Sequence, residues 1–317
     1  MQRTNLVVPL LVMSLGFAAH GMTADEAVAL FQGNEIMIAL SDEGLATLEE
    51  MIDAFRVELG IEGDLDEANE ASVMALELPA VQASIVGLLS QTLYVMADVF
   101  LGEFPEAQSV FLRGKHWGLK ALRMNLDFLI IESSGGLNAA VAVSEDLASL
   151  YWAAANWMRA AQYSPLEAVF AGVPEKTEAM LLRCMELDGT YANYGPFASL
   201  GAFWSGLPRL PGGYYRKDFS KSLFFFCGAI DELELCADSD CVDCPSSALG
   251  SLAEYDFFHN RVLFVEFYLI QMGAWSDAQR ILEEVLSKAI GDQYPLYNAS
   301  SQAKARRLLD VIEQRSK

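Results

Sequence analysis

Histidine is almost missing from this chain. Three occur in 317 residues: His20, His116 and His259. His20 falls in the N-terminal stretch, and the other two lie far apart in sequence. There is no H-E-x-x-H, no G-x-S-x-G and no phosphate-binding loop. Carboxylates are plentiful but spread along helical faces, and nothing singles out an acid/base pair. These absences lead us to expect no enzyme, no catalytic residue, no cofactor and no metal. Cationic residues are also scarce, 21 Lys and Arg against 43 Asp and Glu, for a net charge of −22. So acidic a surface repels phosphate backbones and anionic membranes, which argues against nucleic-acid binding. Beyond the N-terminus no clean apolar run reaches the length of roughly 18 residues that a membrane span needs. The longest candidate, Val81 to Leu101, is interrupted by Gln82, Ser84, Ser90, Gln91 and Asp98 and reads as a long buried helix. No alternating strand with hairpin turns is evident.

What the chain does have is apolar bulk, with 53% hydrophobic residues, and a start that reads as an export signal. Arg3 precedes an apolar segment, Leu6 to Ala19, followed by the small residues Gly21 and Ala24. We expect residues 1–24 to be a signal peptide, cut after Gly21 or after Ala24. The first cysteine is Cys184, so no signal cysteine is present for lipid attachment. Export permits disulfides. Cys227, Cys236, Cys241 and Cys244 cluster around a loop at 236–250, and four cysteines allow three pairings. Two disulfides stapling that loop are the simplest reading. The C-x4-C-x2-C spacing also resembles part of an iron–sulfur site, zinc could take four thiolates, and Asp238, Asp240 and Asp243 could hold Ca²⁺.

Residues 25–317 read as one all-α domain. A helical lead-in covers 25–40. Ser41-Asp42-Glu43 starts a helix bearing Leu45, Leu48, Met51, Ile52 and Phe55 at helical spacing. A long apolar segment runs from about Asn69 to Phe100, with Pro79 as a start or a break. The helix from 106 onward continues through His116 to Ile131, with a turn at 133–136. Further helices follow 144–146, 179–187, 217–235, 253–272 and 300–315. Gly102-x-Phe104-x-x-Ala107-x-x-x-Phe111 places glycine, aromatics and alanine as they stand at the turn of a tetratricopeptide-type helix pair. The same offsets return at Gly273, Trp275, Ala278 and Leu282. A degraded copy starts at Gly213, with Asp218 where alanine is wanted. The separations are not multiples of about 34 residues, so we expect an irregular array of helix-turn-helix pairs.

The densest aromatic, glycine and proline segment is Leu187 to Gly213. Gly195-Pro196 and Leu207-Pro208 bracket a run, Phe197 to Ser205, that is apolar nearly all round, the pattern of a buried helix. Tyr191-Ala-Asn-Tyr-Gly-Pro-Phe-Ala-Ser-Leu-Gly-Ala-Phe-Trp-Ser-Gly-Leu-Pro, with Gly212-Gly213 after it, resembles the signature of the T component of tripartite ATP-independent periplasmic (TRAP) transporters. Tyr151 to Trp157 and Gly102 to Leu122 resemble two further signatures of that family, and the likeness spans about residues 40 to 315.

The resemblance implies a periplasmic helical accessory subunit. It would form a homotrimer with a pore-like opening or apolar cleft, and would dock the transporter's solute-binding protein. A hydrophobic or organic-acid ligand is a further implication. On this basis Trp152, Trp157, Tyr191, Tyr194, Phe197 and Trp204 are candidate wall residues, offering apolar area with polar tips. Asn193 and Arg209 are candidates to orient a carboxylate or a partner's backbone. Plain inter-helix packing is the alternative for each, and the simpler reading for Trp152 and Trp157. The other function class is an exported helical scaffold without a transport role. For the cysteines, mass spectrometry of the exported protein with and without reductant should reveal two disulfides and one free thiol. Free thiols at all four clustered positions would remove the staple.

Overall fold

The computed structural model describes residues 21–61, 63, 65–102, 104–230 and 256–315. Most of the expected signal segment and Cys236, Cys241 and Cys244 lie outside the described residues. Cys227 is buried and disulfide-bonded, and Cys184 is a buried free thiol.

The expected helical lead-in is only partly a helix. Thr23 and Glu26 form a reciprocal capping box on α1 (Ala24–Ala29), which ends within six residues. Gly33, with φ of 62°, then turns the chain into a two-stranded antiparallel hairpin, β1 (Phe31–Gln32) and β2 (Glu35–Ile36). Positive φ is what glycine permits without steric cost. This pair corrects the expectation of no strand, although the described fold is otherwise helical. The Thr23 cap survives cleavage after Gly21, whereas a cut after Ala24 would remove it.

Ser41 accepts from the Gly44 amide and starts α2 (Asp42–Glu58), whose Leu48, Met51, Ile52 and Phe55 are buried as their spacing predicts. After α3 (Glu70–Met74), Pro79 opens the long apolar helix. It contains α4 (Ala83–Val95) and runs on as a π-helical stretch, Met96–Leu101. Spanning Ala80–Leu101, this is the one helix among the described residues long and apolar enough to cross a membrane. Its Val86, Leu89, Leu93 and Ala97 are fully buried in the protein core.

Gly102 (φ 59°) reverses the chain into α5 (Glu106–Arg123), and Ala107 and Phe111 are fully buried at the junction. The helix expected to reach Ile131 breaks instead at Asn125. The Asn125 side chain caps α6 (Leu126–Gly135) through the Asp127 and Phe128 amides. α7 (Leu137–Val143), α8 (Leu147–Ala161), α9 (Pro165–Phe170), α10 (Val173–Asp188), α11 (Tyr191–Gly206) and α12 (Phe219–Ala229) follow. Asp218, the misfit in the degraded repeat, accepts from the Lys221 amide and is the N-cap of α12. α13 (His259–Phe264) again runs into a π-helical stretch, Val265–Leu269, and a last turn. Gly273 (φ 74°) then leads into α14 (Trp275–Ser287), where Ala278 and Leu282 are fully buried, and α15 (Pro295–Arg315) ends the described chain. Both repeat signals thus mark a π-modified helix, a glycine of positive φ and a following helix that packs against it.

Helices pack in succession: α4 on α5, α5 on α8, α8 on α10, α10 on α11, α11 on α12, and α14 on α15. The core divides into three clusters along this stack. α11 supplies Leu200, Phe203 and Trp204 to the second and Ala198 and Ala202 to the third. A helix wedged between two cores must be apolar on both sides, which accounts for its composition.

Small residues set the spacing of the stack. A Cβ on Gly114 would lie 2.2 Å from Asn156 Oδ1, and one on Gly118 would lie 2.8 Å from Ala153 Cα. Ser90 Oγ donates to the Gly114 carbonyl at 2.7 Å, and Asn156 Nδ2 donates to the Ser90 carbonyl at 3.1 Å. Three helices, α4, α5 and α8, are tied at this buried polar knot. Gly118→Ala would press on backbone that cannot swing aside, and we expect a loss of about 1–3 kcal/mol. At Gly87, inside α4, the nearest atom to a new Cβ is Ser149 Oγ at 3.4 Å. There Ala should stabilise by roughly 0.5–1 kcal/mol through helix propensity. Urea midpoints of the two variants moving in the same direction would contradict this account of the packing.

Candidate functional site

The site is built on α11. Its first turn is unusual: Ala192, Asn193 and Tyr194 have φ of 48°, 57° and 62°, a left-handed turn of three consecutive residues. They are the only non-glycine residues with positive φ among the described residues. Such a conformation costs roughly 1–2 kcal/mol per residue for a side chain bearing a Cβ. The turn is held from outside the helix. Asn193 Nδ2 donates to Glu35 Oε1 at 2.6 Å, and Asn260 Nδ2 donates to the Asn193 carbonyl at 2.7 Å. Gly195 follows, where a Cβ would lie 2.4 Å from Tyr151 Oη. Pro196 sits in the first right-handed turn, where a missing amide hydrogen matters least. The helix closes at Gly206, ahead of Leu207-Pro208.

Successive turns of α11 wall three adjoining cavities, their volumes taken with the open mouths included. The outer one, about 540 Å³, has Thr190, Ala192 and Asn193 from this segment and is rimmed by exposed Gln32 and Gln293. The middle one, about 440 Å³, takes Ala192, Gly195, Ala198 and Ser199. The largest, about 770 Å³, takes Ser199, Ala202, Phe203 and Gly206 and is mostly apolar. Asn34, Glu35 and Ala192 wall both the outer and middle cavities, while Tyr94, Ser199 and Leu263 wall both the middle and largest.

Two ionised groups mark the polar side of the largest cavity. Arg159 Nη2 lies 2.8 Å from Asp98 Oδ1. Burial opposes the charge on each. The pair offsets it, holding Asp98 below the usual carboxylate range and Arg159 above the usual guanidinium range. Asp98 lies in the first π-helical stretch, and Glu266, paired with Lys304 at 2.6 Å, lies in the second. A π-bulge shifts the register of side chains on a helix and often occurs at functional sites. His259, lining the middle cavity, is driven down to about 4 by burial and is neutral at physiological pH.

Glu35 is different. It is 7% exposed, and its Oε2 is buried with no hydrogen-bond partner among the described residues. Desolvation raises its carboxyl to about 7, against a smaller opposing effect of the Asn193 hydrogen bond.

Of the eight side chains expected from sequence, Trp152 lines the middle cavity and Asn193 the outer one. The remaining six line none of the three. Tyr191 stands just behind, its hydroxyl accepting from Trp152 Nε1 at 3.2 Å. Tyr194 packs against the third core cluster, and the Phe197 ring fills the space over Gly189 and Gly228. Trp157 has Lys115 over its ring at 4.6 Å, and buried Trp204 has Lys221 over its ring at 3.7 Å. Arg209 is exposed. Asn193 therefore meets a carboxylate of the protein itself, Glu35, and without Arg209 beside the cavities. Sequence reading missed Glu35, Tyr94, Ser199 and Arg159. Only Asp98 left a trace, as a charge inside an apolar run. Among the described residues no group of three His, Cys, Asp or Glu is placed to hold a metal ion.

Residues 101–229 match the family model described as TRAP transporter T-component. The match begins at the first glycine reversal and ends with α12, so it contains all of α11. No curated protein matches the chain.

Glu35 makes a stability prediction with a definite sign. An acid whose folded value lies above its unfolded value binds more protons when folded. Its contribution is complete below about 4.5 and is lost as pH rises through about 7. The full difference is about 3 kcal/mol. His259 and His116 are lowered, first by burial, and act in the opposite sense as pH falls. They are common to the wild type and to Glu35→Gln. Hence the wild type should lose stability relative to Glu35→Gln between pH of about 5 and 8, in parallel urea titrations. Curves that stay parallel would show that Glu35 is solvated.

Proposed function

We propose that this chain, whose residues 101–229 carry the T-component sequence, is an extracytoplasmic accessory subunit of a TRAP transporter. In this role it docks the solute-binding protein and holds an apolar ligand in its largest cavity. The observation that carries the reading is the position of α11. The stretch that most resembles the family is also the common wall of three adjoining cavities. The largest is lined by apolar groups with a few fixed polar ones, as small-molecule sites require. The T-component family consists of transporter accessory subunits rather than a known enzyme family. A homotrimer of this chain is part of the same proposal.

The acidic surface bears on the docking role. A net charge of −22 keeps the protein soluble and repels other acidic proteins. A partner must therefore present a neutral or basic face, and the encounter should weaken with salt.

Two measurements test the reading. A tagged version of this protein should retain a TRAP solute-binding protein from the same cell at low salt, and light scattering should give three times the protomer mass. For the cavity, the neutral fluorescent probe 1-N-phenylnaphthylamine should bind the wild type. Ala202→Trp, which fills the cavity from α11, should bind it about tenfold more weakly while keeping its helical circular dichroism. Equal probe binding by both would place the apolar site elsewhere. A monomer that retains no solute-binding protein would favour a scaffold without a transport role.

A further inference from the structure

The middle cavity has a lining unlike that of its larger neighbour. Aromatic rings reach it from two directions. Tyr94 and Trp152 lie 5.3 Å apart between centroids, and Tyr151 packs edge-on against Trp152 at 4.8 Å. From the other end of the chain, Phe257 and Tyr297 lie 5.7 Å apart. All five line this one space, together with Glu35. Among the described residues no Lys or Arg lines either this cavity or the outer one.

We propose that the middle cavity binds an organic cation, a quaternary or alkylated ammonium group, with Glu35 as its counter-ion and the aromatic rings as its cage. Three observations converge. The first is the buried Glu35 Oε2, which has no hydrogen-bond partner among the described residues, on a carboxylate whose other oxygen is fixed by Asn193. A buried carboxylate without a counter-charge is costly, and a bound cation removes that cost. The second is the cluster of rings, whose negative faces attract a cation, most strongly where water is excluded. The third is access. The outer cavity shares Glu35 with the middle one and is walled by amides and hydroxyls, including Gln32, Asn34, Thr190 and Gln293. These groups can accompany a polar cation inward without competing for it as a charged group would.

An anion is disfavoured at the same place. It would meet Glu35 with no cation to balance it. A purely apolar ligand would leave the Glu35 oxygen buried and unpaired. Ammonium chemistry satisfies both the acid and the rings. The inference does not rest on the transporter reading, because direct binding tests it whether or not a solute-binding protein docks.

The probe is choline, titrated calorimetrically into the full-length exported protein above the Glu35 value of about 7. Its neutral isostere, 3,3-dimethyl-1-butanol, has the same shape without the charge. Choline should bind and quench Trp152 fluorescence, while the isostere should bind about tenfold more weakly or not at all. Glu35→Gln, matched in shape, should weaken choline binding by at least about tenfold while leaving phenylnaphthylamine binding in the largest cavity unchanged. If that variant fails to fold, judged by its thermal melt, the comparison of choline with the isostere on the wild type still decides. No choline binding at tens of millimolar, or equal binding of choline and its isostere, would overturn the proposal. So would undiminished choline binding by a folded Glu35→Gln protein.

Discussion

The architecture depends on one constraint: α11 is buried on two opposite sides and must let its neighbours come close. The second core cluster takes Leu200, Phe203 and Trp204, and the third takes Ala198 and Ala202. Where a ring must lie flat against the helix, a glycine stands beneath it. A Cβ on Gly201 would lie 2.6 Å from the Phe226 ring. This close approach makes the helix a partition between two cores. It also explains why the cavities follow α11. Where α11 presents glycine, alanine and serine, it leaves space wherever no large side chain crosses from the other side.

Charge is organised around that partition with equal economy. The chain is strongly acidic, yet α5 concentrates cations on one side. Arg113 binds buried Glu67 at 2.7 Å, while Lys115 at 2.6 Å and Arg123 at 3.2 Å bind Glu70. These pairs fasten α3 and the segment before it to the stack. The two π-helical stretches do the same further in, presenting Asp98 to Arg159 and Glu266 to Lys304. A buried acid with a matched base is tolerated, and breaking one partner is far more costly than never having had the pair. Glu35 departs from this economy, for among the described residues its side chain hydrogen-bonds only a neutral amide.

Much of the helical frame was legible in the chain. Ser41 before Leu48, Met51 and Phe55 marks a helix start and its buried face. Gly102 and Gly273 mark reversals because each needs positive φ, and Ala107 and Ala278 mark the close contacts that follow. The central stretch was legible as buried and bracketed by its prolines. Its individual contacts were not. Aromatic residues look the same in sequence whether they fill a core or line a cavity, and Phe197 and Trp204 fill. The left-handed turn left no trace, because Ala192 and Tyr194 have no propensity for it and tertiary bonds impose it. Glu35 left none either. It lies 158 residues before Asn193, and only the folded chain brings them together.

That pairing argues for a role beyond packing. A turn needed only to connect α10 with the rest of α11 could use glycine, which adopts positive φ freely. Instead three residues bearing Cβ atoms are held there, at a combined cost of several kcal/mol. One of the two bonds that hold them ends on Glu35, whose second oxygen is itself buried and, among the described residues, without a hydrogen-bond partner. Strain and an unmatched acid are each unfavourable, and each persists only where the surroundings over-determine it. Their coincidence at the boundary of the outer and middle cavities is hard to explain by stability, since either alone would be relieved by a simple substitution. It is explained if the turn exists to hold Asn193 against Glu35, and Glu35 exists to face what enters.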